Sequence, residues 1–450
     1  MLRAKVALAR AARAVSRRLG RGGTTLPGRI LLRLDRQAVA RLAPRLGGGS
    51  VVLSATNGKT TTAAMTASVL ERQGTPVVHN RTGSNMAGGV ATALLDAAPG
   101  GDALGLFEVD EAWLPAVARD LHPHTFLLAN LFRDQLDRYG ELAVLAERWA
   151  EMAAEHSEHA QFVLNADDPL VADLGRGRPG VTYFGLCDDS LALPALPHAA
   201  DSKHCGQCGH AYEYEAVYLA HLGRYSCPRC GQRRPDPAVV AERVVLRGMS
   251  GSDVRLRTPG ASIELRLPLP GLYNVYNAVA AAALALTLGV PLELVKAGLE
   301  GAQAAFGRVE TLEVNGRPVS IMLVKNPAGA NEVLRTLALE DGELHLWIAL
   351  NDGVADGRDV SWVWDADFEG LAERIARVTC SGTRAEEMAL RLKYAGVEAP
   401  IATDRDLGRS LDAALAAGNG QPLYALPTYT ALLELRDLLA ERGVAPRWSD

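Results

Sequence analysis

Short apolar runs alternate with stretches of helical period along most of the chain, the pattern of strands and helices laid down in turn. Val51-Val52-Leu53 is an apolar strand, and Thr61 to Leu70 continues as a helix that Gly74 and Pro76 end. Asp102–Val109 reads as a buried strand running into the carboxylates Glu108, Asp110 and Glu111. Thr125–Asn130 is another, and Phe162 begins a further one that Pro169 stops. Strands alternating with helices predict α/β architecture with a parallel sheet. The rhythm lapses over 188–240, where prolines gather. It resumes at Gly271–Asn277 with an alanine-rich helix to Leu288, and Phe306-Gly307-Arg308-Val309-Glu310 closes that unit.

The junction after the first of these strands carries chemistry. Ser54-Ala55-Thr56-Asn57-Gly58-Lys59-Thr60-Thr61 has the residue types of a phosphate-binding loop. Glycine lets backbone N–H groups approach phosphate oxygens, lysine meets the outer phosphates, and the next hydroxyl ligates Mg²⁺ at a helix N-terminus. Leu53 stands where the full pattern has a glycine, but the strand before and the helix after supply the right context. A buried strand that ends in acids beside such a loop is where a second Mg²⁺ anchor belongs, and Glu108 is the residue expected there.

Inside the lapse lie Cys205-Gly206-Gln207-Cys208 and Cys227-Pro228-Arg229-Cys230, with 18 residues between the pairs. That is the spacing of a structural four-thiolate zinc ribbon, expected over about 198–236, and the flanking glycines permit the tight knuckles it needs. Two symmetrical knuckles suit a metal better than a disulfide or redox pair. Cys187 and Cys380 read as small core or loop residues.

Length and composition add bounds. The 450 residues suggest two or three domains, 48% of them hydrophobic, and a net charge of −5 argues against a dedicated nucleic-acid binder. The first 34 residues are the exception, with Arg3, Lys5, Arg10, Arg13, Arg17, Arg18, Arg21, Arg29 and Arg33 and no acid before Asp35. Residues 2–19 place these cations among Leu, Val and Ala at helical spacing. They read as a solvated helix packed on the domain in preference to one lying on a membrane surface. With neither a transmembrane run nor the apolar stretch of a secretory signal, the expected location is the cytoplasm, with the inner membrane face within reach of the basic N-terminus.

Taken together, the loop at 55–61, Asn130-Leu-Phe-Arg-Asp-Gln-Leu-Asp137, Asn165-Ala-Asp-Asp-Pro169, Gly271-x-Tyr-Asn-x-x-Asn277-Ala and Phe306-Gly-Arg308 follow the order of the Mur ligases, which this chain resembles through about residues 51–310. Lys325-Asn-Pro-Ala-Gly-Ala-Asn331, the stretch Leu350–Asp365 and Cys380–Gly396, with the ribbon, narrow the resemblance to the MurT family of ligase subunits. It implies a basic N-terminal segment (1–50), a central ATP-binding domain (51–310) carrying the ribbon, and a smaller Rossmann-like α/β C-terminal domain (311–450).

The resemblance further implies ATP-dependent amidation of the α-carboxylate of D-glutamate in the lipid II stem peptide, through an acyl-phosphate. The ammonia would come from a GatD-like glutaminase in a heterodimer. Carried onto this sequence, Asn57, Gly58, Lys59, Thr60 and Thr61 cradle the phosphates, Thr60 and Glu108 hold Mg²⁺, Asn277 meets the adenine and Arg308 the transferring phosphate. An aspartate of this chain would complete the partner's catalytic triad, with Asp359 the first candidate, Asp356 the second and Asp352 the third. A plain helix-capping role for Asn274 and Asn277 is the alternative reading of those two residues.

Departures from the relatives are visible. Ala55 replaces the usual glycine, and Lys325-Asn326-Pro327 replaces an acidic segment used on the nucleotide ribose. No lysine matches the modified one of amino-acid-adding ligases, and only about 50 residues precede the loop, where those ligases have a carrier-binding domain. A ligase that adds an amino acid unaided, and a zinc-ribbon NTPase on nucleic acid, are the competing readings.

Overall fold

The computed structural model describes the whole chain except residues 1, 19–23, 81–83, 135–141, 198–199, 304–308, 419 and 446–450. Two main sheets organise it. The larger has nine strands in the order β11-β10-β9-β6-β5-β4-β1-β3-β2. These are β1 (Ser50–Ser54), β2 (Val77–His79), β3 (Leu104–Glu108), β4 (Thr125–Leu128), β5 (Gln161–Asn165), β6 (Val181–Leu186), β9 (Val239–Leu246), β10 (Ser252–Arg257) and β11 (Ser262–Leu267). From β2 to β9 all neighbours are parallel. Every residue of β1, β3 and β4 is buried, as befits strands covered by helices on both faces.

The sheet is nevertheless mixed. β9, β10 and β11 extend it as an antiparallel meander, which the expectation of a parallel sheet did not include. The outer strands β10 and β11 alternate buried with more exposed residues, the pattern of a half-solvated antiparallel edge.

Strand order reverses at β1, whose neighbours are β3 on one side and β4 on the other. Such a reversal opens a crevice beyond the carboxyl ends of the strands. The loop that leaves β1 enters the Lys59–Gln73 helix there, and Gly74 ends that helix in a left-handed conformation.

The second sheet, of six strands, runs β12-β13-β17-β14-β15-β16: β12 (Glu310–Val314), β13 (Arg317–Ile321), β14 (Leu344–Ala349), β15 (Ile375–Ser381), β16 (Ile401–Thr403) and β17 (Leu423–Pro427). Only the β12–β13 pair is antiparallel. Its faces bury separate clusters, one around Leu346, Ile348 and Val378, the other around Trp347, Leu411 and Leu435. Between β6 and β9 a hairpin, β7 (Glu213–Leu219) and β8 (Leu222–Ser226), interrupts the large sheet's sequence without joining it.

The basic N-terminal helix Leu2–Arg18 packs on the body. Val6 and Ala9 are buried in the cluster that holds Leu31, Leu94 and Leu95. Its cations are partly spent on that contact: Lys5 Nζ lies 3.2 Å from Asp35 and Arg13 lies 2.6 Å from Asp96. Among the described residues, no helix is long and apolar enough to cross a membrane.

Candidate functional site at the phosphate loop

Residues far away in sequence hold the β1 loop. Thr56 N–H donates to the Asn130 carbonyl (3.0 Å) and Asn57 N–H to Asn130 Oδ1 (2.9 Å). Asn130 Nδ2 returns a bond to the Asn57 carbonyl (3.0 Å), and Phe132 N–H donates to Thr56 Oγ1 (3.0 Å). The Asn130-Leu131-Phe132 motif is therefore the back wall of the loop. Gly58 has φ +90°, and a Cβ there would stand 2.0 Å from Asn277 Oδ1, so only glycine fits.

Asn277 is brought to the loop, but it does not cap a helix. The helix Leu272–Thr287 starts after Gly271, earlier than its alanine-rich part suggests, and takes both asparagines into its body. Asn277 Oδ1 accepts from Thr62 Oγ1 (3.2 Å), its Nδ2 donates to Asn274 Oδ1 (3.1 Å), and Asn274 Nδ2 donates to the Pro270 carbonyl (2.8 Å). The capping alternative fails because an N-cap must lie outside the helical dihedrals.

Lys59 is buried at the start of its helix, with Nζ 2.6 Å from Glu111 Oε2 and also bonded to the Ala55 carbonyl. Burial opposes both charges. The charges of Glu111 and Asp110 nonetheless raise the Lys59 ammonium, and those of Lys59 and Lys325 lower the Glu111 carboxyl, so the pair stays ionised. Of the acids at the end of β3, Glu108 is the one expected at Mg²⁺, while the partner of Lys59 is Glu111, three residues on, which depends on how the chain turns after the strand. Glu108 itself ends β3 beside Leu53, fully buried, its N–H donating to Asn80 Oδ1 (3.0 Å) and its carbonyl accepting from Asn80 Nδ2 (2.8 Å). Thr60 and Thr61 lie in the first turn of the helix, Thr60 half-buried and Thr61 buried. An oxygen donor set of a hydroxyl and a strand-end carboxylate suits Mg²⁺. Arg308 lies outside the described residues.

The C-terminal unit closes on this loop through Lys325 and Asn326, to which the sequence assigns no contact. Asn326 and Asn57 exchange side-chain amide bonds of 3.2 and 3.0 Å. Lys325 Nζ reaches Asp134 (2.5 Å) and the Thr56 carbonyl (3.2 Å). Asn326 also caps the helix Pro327–Leu337, accepting from Gly329 N–H. A small cavity of about 90 Å³ lies between Asn57, Gly58 and Thr61 on one side and Lys325, Gly329 and Glu332 on the other, with Asn277 in its lining. The motif Asn165–Pro169 is a brace: Asp168 caps the helix after it and accepts from Leu131 N–H (2.8 Å), while Asp167 takes the Tyr276 hydroxyl (2.7 Å) and Arg234 (2.5 Å).

The ribbon cysteines converge. All four sulfurs lie within 4.8 Å of one another, and Cys205–Cys230 and Cys208–Cys227 are each 3.5 Å apart. Four thiolates around one tetrahedral Zn²⁺ would sit about 3.8 Å apart, so the set fits. Gly209 and Gly231 take left-handed conformations and turn each knuckle back, with their N–H groups donating to the Cys205 and Cys227 carbonyls.

The three candidate aspartates differ. Asp356 is buried, accepting from Thr430 N–H (2.7 Å), Thr430 Oγ1 (2.5 Å) and Gly353 N–H (3.1 Å). Asp352 pairs with Arg384 (2.8 Å) and accepts from Thr383 Oγ1 (2.8 Å). Asp359 is exposed, and the Ser361 N–H at 2.8 Å holds its carboxyl below the usual range. Trp362 and Trp364 sit in a 3₁₀ turn, Ser361–Asp365. Trp362 packs on the core, and the half-exposed Trp364 meets Tyr394 edge-on at 5.6 Å.

Comparison with known proteins agrees with this geometry. Residues 54–218 match the Mur ligase middle domain and 323–432 the MurT ligase C-terminal domain. The chain is 34% identical to the lipid II isoglutaminyl synthase (glutamine-hydrolyzing) subunit MurT of Streptococcus pneumoniae, over 95% of this chain and 94% of that one. It is 33% identical to the same subunit of Staphylococcus aureus, over 96% of each. Its fold is similar to a pseudomurein peptide ligase type C from Methanothermus fervidus (TM-score 0.66, 21% identity, 88% of this chain and 79% of that one). It is also similar to the MurF ligase from Thermotoga maritima in complex with ADP (TM-score 0.62, 16% identity, 91% and 84%). A phosphate loop at the reversal of a mixed sheet, a four-cysteine insertion and a C-terminal unit closing on the loop thus occur in a chain that belongs to the MurT family and has the Mur ligase fold.

Proposed function

We propose that this chain catalyses ATP-dependent amidation of the α-carboxylate of D-glutamate in the lipid II stem peptide, giving D-isoglutamine. The observation that carries this reading is the phosphate loop, cradled by Asn130, Asn277 and Asn326, in a chain similar along its length to MurT subunits. Asn57, Gly58 and Thr61 line the nucleotide's phosphates, Lys59 neutralises the outer ones, Asn277 contacts the adenine, and Arg308 steadies the group in transfer. Thr60 and Glu108 would hold Mg²⁺, which when bound neutralises phosphate charge. Positioning and charge neutralisation supply most of the rate in such transfers. The carboxylate oxygen attacks the γ-phosphorus, ADP departs, and ammonia displaces phosphate from the acyl carbon.

Ammonia is supplied by a GatD-like glutaminase bound to the C-terminal unit (311–450), while the central unit (51–310) activates the acid. Asp359 completes the partner's triad, because its carboxylate is exposed and ionised whereas Asp356 and Asp352 are engaged within the chain. Zn²⁺ in Cys205, Cys208, Cys227 and Cys230 fixes the ribbon. The chain works in the cytoplasm against the inner membrane face. Supporting this, the N-terminal helix turns Leu8 and Val15, 54% and 56% exposed, away from the body.

Mass spectrometry of lipid II incubated with the chain, ATP and Mg²⁺ tests the reading. Amide should form with ammonium alone, and with glutamine only when the partner is present. ATP turnover driven by an added amino acid, with no amide under any condition, would move the assignment to a self-sufficient ligase.

A further inference from the structure

Two cavities meet in this molecule. Besides the small one at the phosphate loop, an open groove of about 690 Å³ runs between the ribbon-entry segment Leu193–Pro197 and the C-terminal unit, reaching Trp364, five residues after Asp359. Phe132, Ala328 and Glu332 line both. Of these three, Phe132 and Ala328 are apolar, so Glu332 is the polar side chain at the shared wall. Its residue is 5% exposed, and among the described residues Oε2 has no hydrogen-bond partner.

Resting on the amidation reading above, we propose that Glu332 takes a proton from ammonium as it passes from the groove to the acyl-phosphate at the phosphate loop. Ammonium must lose a proton before its nitrogen has a lone pair to attack with, and a small cation entering an apolar constriction is drawn to a buried carboxylate. The Glu332 carboxylate accepts one proton from NH₄⁺. The resulting NH₃ forms the C–N bond at the acyl carbon as the C–O bond to phosphate breaks, the nitrogen passes a proton to the departing phosphate, and Glu332 returns its own proton to water in the groove.

The other charged groups around these spaces are committed to one another. Arg133 pairs with Asp201, Lys325 with Asp134 (2.5 Å) and Arg391 with Glu369 (2.7 Å), while Asp365 and Asp367 are exposed at the rim. Arg335, on the same helix, stands 3.8 Å from Glu332 Oε1, and its guanidinium donates to the Tyr218 and Leu191 carbonyls. Burial pushes the Glu332 carboxyl up to about 7, against the opposing charge of Arg335. A base with that affinity is matched to proton exchange near neutral pH.

The test uses the full chain with lipid II, ATP and Mg²⁺, without the glutaminase, and compares ammonium with hydroxylamine, which is already uncharged at pH 7. Glu332→Gln should slow ammonium-driven amide formation about 100-fold at pH 7, and less at pH 9, where free ammonia is plentiful. Hydroxamate formation should stay within about twofold of the wild type, since that nucleophile needs no prior deprotonation. Equal losses with both nucleophiles, or no loss, would overturn the proposal. If the variant does not fold, the wild type decides: a rate that falls about a hundredfold from pH 8 to 6, as free ammonia does, means no protein group takes the proton, and one that falls only about tenfold, as the ionised fraction of a group near 7 does, supports Glu332. A wild type that makes neither amide nor hydroxamate fails the amidation reading itself, whereas one that makes both but shows no such discrimination fails only Glu332.

Discussion

The phosphate loop and the aspartate loop at 352–359 are held in opposite ways. At the phosphate loop, Asn57 is bonded to residues 73 and 269 positions away. Lys59 is paired across 52 positions, and Gly58 has no room for a Cβ. Asp359 by contrast bonds to Ser361, two residues on, and stays exposed. A site that transfers a phosphoryl group needs donors fixed before the substrate arrives, which long-range bonds provide. On the proposed role of Asp359, a carboxylate offered to another chain's histidine must stay free within its own, and a short local turn leaves it so.

The largest separation between the two loops should come from Asp359→Asn. Glutamine-driven amidation with the partner should fall on the order of 1000-fold or more, as removal of a triad acid does, while ammonium-driven amidation stays near the wild-type rate. Asp356→Asn is the contrast: it loosens Thr430 and the loop, so thermal stability drops with both activities. If Asp356→Asn alone gave the selective loss of glutamine-driven turnover, the assignment within the loop would be reversed.

Lys59→Ala comes next. It should reduce ATP turnover by roughly 100- to 1000-fold with either nitrogen source, as loss of one charge-stabilising donor does. It also leaves Glu111 buried without its partner, a loss of about 3–5 kcal/mol for pairs of this kind. Measuring turnover and unfolding together separates the two effects, because Glu111→Gln with Lys59 retained should lower stability but spare most of the turnover. Removing metal from the ribbon with a chelator should unfold the 198–236 segment, read as a loss of hydrogen-exchange protection in β7 and β8, with zinc recovered stoichiometrically.

Glu332 titration gives a smaller effect with a definite sign. Its folded-state affinity for the proton is raised from 4.5 to about 7. The stabilising contribution is therefore whole below pH 4.5 and lost as pH rises through 7. Glu332→Gln should equal the wild type near pH 4 and exceed it by up to about 3 kcal/mol at pH 8, in denaturant melts. Equal stabilities at pH 8 would mean that water reaches the carboxylate and the site is less dry than its burial indicates.

The legible parts of the molecule were those written in contiguous residues. β1 running into Gly58-Lys59, the strand ending at Glu108 and the paired cysteines each declare themselves within a few positions. Contacts that depend on how separate segments meet did not. Glu111 opposite Lys59, Asn326 opposite Asn57 and Glu332 between two cavities follow from the turn after β3 and the docking of the C-terminal unit, which no local pattern encodes. The meander β9–β11 fills 239–267, between the ribbon and Gly271, and its pairing as an antiparallel edge depends on how that segment meets the sheet.

Asn326→Ala probes the join between the two loops' domains with the smallest change. The substitution removes the paired amides with Asn57 and the cap accepting from Gly329 N–H. Each neutral hydrogen bond is worth about 1 kcal/mol net and the cap about as much; with about half of that roughly 3 kcal/mol coupled to the bound nucleotide, its affinity should weaken by about 10-fold. Asn326→Ser retains a cap but cannot return the amide bond to Asn57. If affinity recovers with serine, the loss came from the helix terminus. If it does not, the Asn57 contact is what couples closure of the C-terminal unit to the phosphate loop, and isothermal titration with ADP distinguishes the two.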